Sequence, residues 1–136
     1  MKNLVFGSTG LVGKAFYRLS YKKNFTIYSS SKDNKNNIKW DLNKDLKDFP
    51  VKKIKNCFFF ASPRILNKNF KKNKFKNEYN WLKNVIRNIQ IENIVYISSS
   101  SVYYNKNHKI GKTKKLCENL ILKNKNRFKN YQIWRP

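Results

Sequence analysis

The sequence predicts an α/β fold in which a parallel β-sheet is covered by helices. Short apolar segments alternate with segments of helical periodicity along the whole chain, which is typical of βαβ units. One short segment, Cys57–Ala61, is apolar at every position, as expected of a central parallel strand that is buried on both faces. No internal repeat or linker interrupts this alternation. We therefore expect one domain over residues 1–136, with about six strands.

Four of these strands are predicted in the first half of the chain: Lys2–Phe6, Phe25–Tyr28, Ile38–Trp40 and Cys57–Ala61. Leu11–Tyr21 follows the first strand and carries apolar residues at helical spacing. Ser29–Asn37 is polar and is expected to form a loop. Asp41–Pro50 is expected to contain a helical turn that ends at the proline.

The second half of the chain is expected to add two helices and two strands. Residues 64–76 are strongly basic and have little periodicity, so we expect a loop or an irregular helix start. The helices are Glu78–Ile91, with one apolar stripe, and Ile110–Lys125, with Leu116, Leu120 and Ile121 inward. The strands are Asn93–Ile97 and Tyr131–Trp134.

The charge balance is strongly basic. The chain has 31 Lys and Arg residues against 7 Asp and Glu residues, a net charge of +24. These charges are spread through almost every segment and interleaved with asparagine. This pattern favours compositional drift, as an A+T-rich genome would produce, over a selected nucleic-acid surface, which stays an alternative. In either case the field attracts anionic ligands, including dinucleotides and sugar nucleotides.

Several other classes of protein find little support. Cys57 and Cys117 lack metal-ligand spacing and are predicted to be buried or half-buried thiols. The single histidine, His108, makes a histidine-based metal site or triad a poor interpretation, so no metal is predicted. No apolar run approaches the roughly 20 residues that span a bilayer. The amino terminus does not resemble a signal peptide. We expect a cytoplasmic protein without a membrane partner.

A glycine-rich loop joins the first strand to the first helix and reads Gly7-Ser8-Thr9-Gly10-Leu11-Val12-Gly13. The first glycine suits a tight turn, the second lets a pyrophosphate approach, and the third lets the helix pack closely. The helix N-terminus adds free N–H groups and a positive dipole end. We predict that this loop binds a dinucleotide. Its predicted contact residues are Gly7, Thr9, Gly10, Leu11, Val12 and Gly13.

This Gly-x-x-Gly-x-x-Gly spacing, with later motifs in the same order, resembles the extended short-chain dehydrogenase/reductases of the NAD-dependent epimerase/dehydratase family. The later motifs are Trp40-Asp41-Leu42, Phe60-Ala61-Ser62, the Ser-Ser-x-x-Val-Tyr of 98–103, Gly111-Lys112-Thr113-Lys114 and Arg135-Pro136. The resemblance covers essentially the whole chain. It implies a Rossmann-like, doubly wound parallel sheet with helices on both faces, and NAD or NADP as cofactor.

The resemblance also implies roles for particular residues. Asp41 and Leu42 would contact the adenine, and Ala61 and Ser62 would lie along the cofactor. Ser99 would be the catalytic serine that orients the substrate oxygen. Lys114 would bind the nicotinamide ribose. In the family, the cofactor takes a hydride from a nucleotide-activated sugar, which is then epimerised, dehydrated or reduced.

One departure from the family motif bears on catalysis. The motif Tyr-x-x-x-Lys reads Ile110-Gly111-Lys112-Thr113-Lys114 here, and isoleucine cannot act as the acid/base. Rescue by Tyr103 or Tyr104 is disfavoured, because neither lies one turn from Lys114. The hydride step should therefore be slow or lost. A catalytically impaired or truncated cofactor-binding protein is the alternative to an active epimerase, dehydratase or reductase.

Further departures concern the cofactor and the assembly. Ser30 and Lys32 follow the second strand and suit a 2′-phosphate, which favours NADP, although Asp33 could serve NAD. The family's C-terminal substrate-binding region is expected to be absent. A family asparagine on the helix before the fifth strand is not assigned, because an ungapped count places Phe75 there and Asn77 and Asn80 are both near. The resemblance implies a homodimer through helices 78–91 and 110–125, whose lysines would weaken the pairing.

Overall fold

The structure, a computed structural model, describes residues 2–22, 28–31, 38–63, 74–104 and 109–136. Within these residues, six strands form one sheet: β1 (Lys2–Phe6), β2 (Tyr28–Ser31), β3 (Ile38–Lys39), β4 (Lys53–Phe59), β5 (Gln90–Ile97) and β6 (Asn130–Trp134). Every pairing between neighbouring strands is parallel. The strand order is β3-β2-β1-β4-β5-β6, that of a doubly wound nucleotide-binding fold.

Helices cover both faces of this sheet, as predicted. The α-helices are α1 (Leu11–Lys22), α2 (Lys74–Asn88), α3 (Ser101–Tyr104) and α4 (Lys109–Lys123). Phe16 of α1 packs on one face, with its ring centroid 4.6 Å from that of Phe58 and 5.1 Å from that of Phe60. Tyr96 points to the opposite face, where its hydroxyl meets Glu78 of α2 and its ring lies beneath the Lys114 ammonium of α4. Together with Leu46–Asp48 and Lys125–Arg127, which are 3₁₀ turns, these elements complete the described fold.

The two faces of the sheet are not covered equally. The main core lies between the strands and helices α2 and α4, and its fully buried members include Leu4, Phe59, Leu82, Ile94 and Ile121. On the α1 face, the strand side chains are mostly half-buried, as at 58, 60, 95 and 97. Burial of the α2/α4 face therefore supplies most of the hydrophobic stabilisation.

Four asparagines form a hydrogen-bonded ladder across the sheet. The Asn130 amide donates to the Asn93 side-chain oxygen (2.8 Å), Asn93 to Asn56 (2.9 Å) and Asn56 to Asn3 (2.8 Å). The four residues are direct partners in the registers of β1, β4, β5 and β6. The ladder thus links the same level of four adjacent strands through side chains as well as backbone.

Several predicted boundaries were wrong. Helix α2 starts at Lys74 and ends at Asn88, and Gln90–Ile91 belong to β5 because they pair with Lys53–Ile54 of β4. Residues 29–31, predicted as loop, belong to β2, since backbone pairing to β1 and β3 outweighs the poor strand propensity of serine. Residues 25–27 of the predicted second strand and residues 64–73 of the basic segment lie outside the described residues.

Leu116 was wrongly predicted to face inward. Its side chain is exposed, because the buried face of α4 follows other positions at helical spacing. The buried residues of α4 are Gly111, Thr113, Lys114, Cys117, Glu118 and Ile121. The helix therefore turns the charged side chains of Lys114 and Glu118 toward the sheet, while Leu116 and Leu122 are exposed.

Both cysteines are free and buried, as predicted. Burial raises the pKa of Cys117 to about 12, and that of the Cys57 thiol also rises well above its ordinary value because of burial. Among the described helices, none has the length and apolarity needed to cross a membrane.

Candidate cofactor site

The candidate site lies where the strand order reverses. β1 is paired with β2 on one side and β4 on the other, so connections leave β1 and β4 in opposite directions. In open parallel sheets, ligands bind beyond the carboxyl ends of the strands at this point. The glycine loop follows β1, Ala61 and Ser62 follow β4, and Ser98–Ser101 follow β5. The predicted contact segments therefore meet at one edge of the sheet.

Two of the loop glycines are required by the packing of the chain itself. Gly7 has a φ of +85°, and a Cβ there would lie 2.6 Å from the Ala61 backbone. A Cβ on Gly13 would lie 2.1 Å from the Gly7 carbonyl oxygen, which explains how α1 begins so close to β1. These glycines provide the tight turn and the close helix approach that the sequence predicted.

Gly10 is different, because the fold itself does not require a glycine there. Among the described atoms, a Cβ on Gly10 would meet only the Gly7 carbonyl oxygen, at an ordinary contact distance of 3.4 Å. The residue is exposed and faces open space at the start of α1. A backbone bare of side chain at this point is what a phosphate group needs in order to approach the helix end.

The surroundings of Gly10 also fit an anionic ligand with an apolar portion. The first-turn amides of α1 have no intrahelical acceptor and point out of the helix end. The Ser8 hydroxyl is buried and has no hydrogen-bond partner among the described residues. Leu11 is 91% exposed and Val12 is 47% exposed. Thr9 is exposed in the same loop. The residues present therefore fit the pyrophosphate of a dinucleotide.

The adenine end of the predicted site is partly described. Asp41 is half-buried, and its Oδ1 accepts a hydrogen bond from the Asn43 backbone N–H at 2.9 Å, which stabilises the local turn. Leu42 packs against the core. Ser30 pairs with Phe6 in the register of β1 and β2, one strand from the glycine loop, and its side chain is outside the described part. Lys32 also lies outside it, so the preference for NADP stays a prediction.

Lys114 lies in a buried network centred on Glu78. The Lys114 ammonium donates to Glu78 Oε1 at 2.6 Å and to the Ile97 carbonyl oxygen at 3.0 Å. The Tyr96 hydroxyl donates to the same Oε1 at 2.9 Å, and the Ser62 hydroxyl donates to Oε2 at 3.3 Å. Glu78 is 3% exposed and Lys114 is 8% exposed. The structure therefore brings Ser62 and Lys114, both predicted site residues, onto one carboxylate.

Glu78 is a residue that the sequence interpretation missed. One signal could have found it: Glu78 lies on the same helical stripe as Leu82, Val85 and Ile89, which are buried. An acidic residue within an apolar stripe must find a partner, because a buried unpaired carboxylate is costly. The partner itself, 36 positions further along the chain, could not be identified from α2 alone.

The serine run after β5 divides between two roles. Ser98 is buried and donates to Glu118 Oε1 at 2.6 Å, so it belongs to a network that also includes Arg135. Ser99 is half-buried, and its Oγ accepts hydrogen bonds from the Ser101 hydroxyl at 2.9 Å and the Ser101 N–H at 3.2 Å. Of these two serines, Ser98 is bonded to Glu118, whereas the described hydrogen bonds of the Ser99 hydroxyl are to Ser101.

Arg135 closes the second network. Its Nε and Nη2 donate to the two Glu118 oxygens at 2.8 and 2.9 Å, a bidentate pair that joins the end of β6 to α4. Burial alone would raise the pKa of Glu118, but hydrogen bonds from Arg135 and Ser98 and the nearby cationic charges hold it below its ordinary value.

Ile110 is half-buried in the first turn of α4, one turn before Lys114. The phenol that joins the Lys114 network is that of Tyr96, whose pKa is raised far above its ordinary value by burial and by the Glu78 charge. It therefore stays protonated near neutral pH and cannot act as a base there. Tyr103 is 64% exposed, and its ring lies 5.4 Å from the Arg135 guanidinium. The Tyr104 side chain lies outside the described part.

Comparison with known proteins gives a match at the level of fold. No protein-family model matches the sequence, and no curated protein matches it. A UDP-galactose 4-epimerase structure is similar, with a TM-score of 0.77, 16% identity, 99% of this chain covered and 55% of that chain. MoeE5 in complex with UDP-glucose and NAD gives a TM-score of 0.74, 18% identity, and coverage of 99% and 54%.

A short-chain dehydrogenase/reductase superfamily protein from Agrobacterium tumefaciens with bound NAD gives a TM-score of 0.81, 17% identity, and coverage of 99% and 48%. The chain thus spans about half the length of these structures. At these identities the likeness is one of fold, and the chain has the Rossmann-like, doubly wound parallel sheet that the sequence predicted.

Proposed function

We propose that this chain binds NAD or NADP at the carboxyl edge of its sheet, as the cofactor domain of an epimerase/dehydratase-type protein that takes a nucleotide-activated sugar. The observation that carries the proposal is Gly10, a glycine that the fold does not require and that leaves open space before the α1 N-terminus. The Ser8 hydroxyl, which is buried in the same loop and has no hydrogen-bond partner within the described part of the chain, supports the same interpretation.

Different residues would contact different parts of the cofactor. The loop from Gly7 to Gly13 and the first-turn amides of α1 would hold the pyrophosphate. Asp41 and Leu42 would contact the adenine, Ala61 and Ser62 would lie along the cofactor, and Lys114 would face the nicotinamide ribose. When bound, the nicotinamide supplies a hydride acceptor or donor. The chain itself supplies orientation, and Ser99 would hold the substrate oxygen.

The substrate class is supported by two arguments. The similar structures include a UDP-galactose 4-epimerase and a protein in complex with UDP-glucose and NAD. The net charge of +24 also favours ligands that carry a diphosphate, because the field raises their local concentration. A nucleoside-diphosphate sugar is therefore the substrate to test first.

A second candidate function is cofactor binding without turnover, and Ile110 favours it. An isoleucine one turn before Lys114 has no proton to exchange, and Tyr96, which meets Lys114, is held protonated by burial. We expect the protein to bind the dinucleotide and to leave UDP-glucose unchanged, with no new sugar nucleotide and no reduced cofactor. Both are measured because epimerisation and dehydration return the hydride and give no net reduction. A new sugar nucleotide or a reduced cofactor formed by the unmodified protein would instead favour the active enzyme.

The test is calorimetric titration with NAD⁺ and with NADP⁺ at physiological salt, for the parent protein and for Gly10→Asp. We expect saturable binding by the parent and at least a tenfold loss in the variant, since a carboxylate would repel the phosphates. The melting temperature of Gly10→Asp should stay near that of the parent, because the space at Gly10 accepts a side chain. Absence of binding by the parent, or equal binding by both proteins, would overturn the proposal.

A further inference from the structure

Glu78 gathers donors from three different elements on one buried carboxylate. Lys114 comes from α4, Tyr96 from β5 and Ser62 from the segment after β4, while Glu78 itself lies in α2. Both carboxylate oxygens are engaged. A single side chain thus fixes the distances between α2, α4 and the carboxyl ends of two central strands.

The Lys114 ammonium has little freedom in this arrangement. It is held by Glu78 Oε1 at 2.6 Å and by the Ile97 carbonyl oxygen at 3.0 Å, and it lies 5.2 Å from the centroid of the Tyr96 ring. Lys114 forms an ion pair with Glu78, in which the Lys114 side chain is 10% exposed and the Glu78 side chain is 5% exposed. Removal of either charge would leave the other buried without compensation.

We propose that Glu78 is a positioning residue of the dinucleotide site, which holds Lys114 and Ser62 in place for the nicotinamide half of the ligand. This inference rests on the proposed function, which has Lys114 face the nicotinamide ribose and Ser62 lie along the cofactor. Glu118 is also a buried carboxylate, but it lies on α4 and offers a matched contrast. Within the described residues no hydrogen bond joins it to Ser62 or Lys114. A merely structural role for Glu78 would predict the same behaviour from both carboxylates.

The first test compares ligands that contain and lack the nicotinamide half. NAD⁺ and AMP are titrated into the parent, Glu78→Gln, Glu78→Asp and Glu118→Gln. We expect Glu78→Gln to weaken NAD⁺ binding on the order of tenfold and to leave AMP binding unchanged. Glu78→Asp keeps the charge and should recover part of the loss. Glu118→Gln should leave the ratio of the two affinities as in the parent.

A double-mutant cycle shows whether Glu78 acts through Lys114. The NAD⁺ affinities of Lys114→Met and Glu78→Gln/Lys114→Met should differ much less than those of the parent and Glu78→Gln, since Glu78 then has no ammonium to position and acts on Ser62 alone. The double variant also removes both buried charges, so it provides the comparison if Glu78→Gln alone does not fold. A loss from Glu78→Gln in the Lys114→Met background as large as the loss in the parent background would overturn the role through Lys114.

A readout independent of ligand is the accessibility of Lys114 to reductive methylation, mapped by mass spectrometry. We expect Lys114 to be protected in the parent and in Glu118→Gln, and modified in Glu78→Gln. Continued protection of Lys114 in Glu78→Gln, or equal losses of NAD⁺ and AMP binding, would overturn the positioning role. If the parent binds neither ligand, the proposed function fails, and the dinucleotide-positioning role fails with it. The methylation result then shows separately whether Glu78 fixes Lys114.

Discussion

At the scale of single residues, Glu118 shows how burial and pairing compete for one carboxylate. Glu118 is 1% exposed, and burial acts to raise its pKa. Hydrogen bonds from Arg135 and Ser98 lower the pKa, and their effect is the larger. The pKa therefore lies below the ordinary value of 4.5. A depressed carboxyl pKa contributes stability that is present above the ordinary pKa and is lost as the pH falls through the folded one.

We accordingly expect Glu118→Gln to lower the free energy of unfolding at neutral pH by about 1–3 kcal/mol, the usual cost of losing hydrogen bonds to a charged group. The difference between parent and variant should shrink as the pH falls below 4.5, because the parent carboxyl also becomes neutral there. Urea denaturation of parent and variant at neutral pH and at a pH below 4.5 measures this difference. A difference that does not change with pH would contradict the assignment of the stabilisation to the ionised carboxylate.

At the scale of elements, the asparagine ladder has a consequence for stability. Asn56 is an inner member, which donates to Asn3 and accepts from Asn93. Its replacement by alanine removes both of these hydrogen bonds, the one to Asn3 and the one from Asn93. We expect Asn56→Ala to lower the free energy of unfolding by about 1–2 kcal/mol in urea denaturation.

Asn119→Ala, an exposed change on α4, is the matched control. It should have no effect or a small stabilising one, because alanine has the higher helix propensity. Equal effects from the two substitutions would mean that the ladder contributes nothing beyond local propensity.

The elements also show what could be predicted from sequence and what could not. The central strand β4 was found because its apolar run is a local signal, and the glycine loop because the strand–turn–helix context is local. The prediction ended β2 at Tyr28, since serine has little strand propensity and residues 29–31 belong to the strand through pairing with β1 and β3. The same reasoning explains Glu78, whose partners Tyr96 and Lys114 lie 18 and 36 positions away.

At the scale of the whole molecule, the net charge of +24 acts on every anionic ligand and not on one site alone. The buried acids Glu78 and Glu118 are both engaged with cations, so they do little to offset the positive surface. Such a surface releases counterions when it binds a polyanion, and that binding weakens steeply with salt. A dinucleotide carries few charges and, in the proposed site, would be held mainly by the loop and helix amides, so its affinity should depend on salt much less.

We therefore expect duplex DNA binding, followed by fluorescence anisotropy, to fall by about a thousandfold or more between 50 and 200 mM salt, the range for proteins that make several phosphate contacts. NAD⁺ or NADP⁺ binding by calorimetry should change far less over the same range. Gly10→Asp should lose the dinucleotide and keep the DNA binding, because the two depend on different features of the molecule. Tight DNA binding that persists at physiological salt and depends on DNA sequence would instead favour a nucleic-acid-binding protein, with the glycine loop serving only the fold.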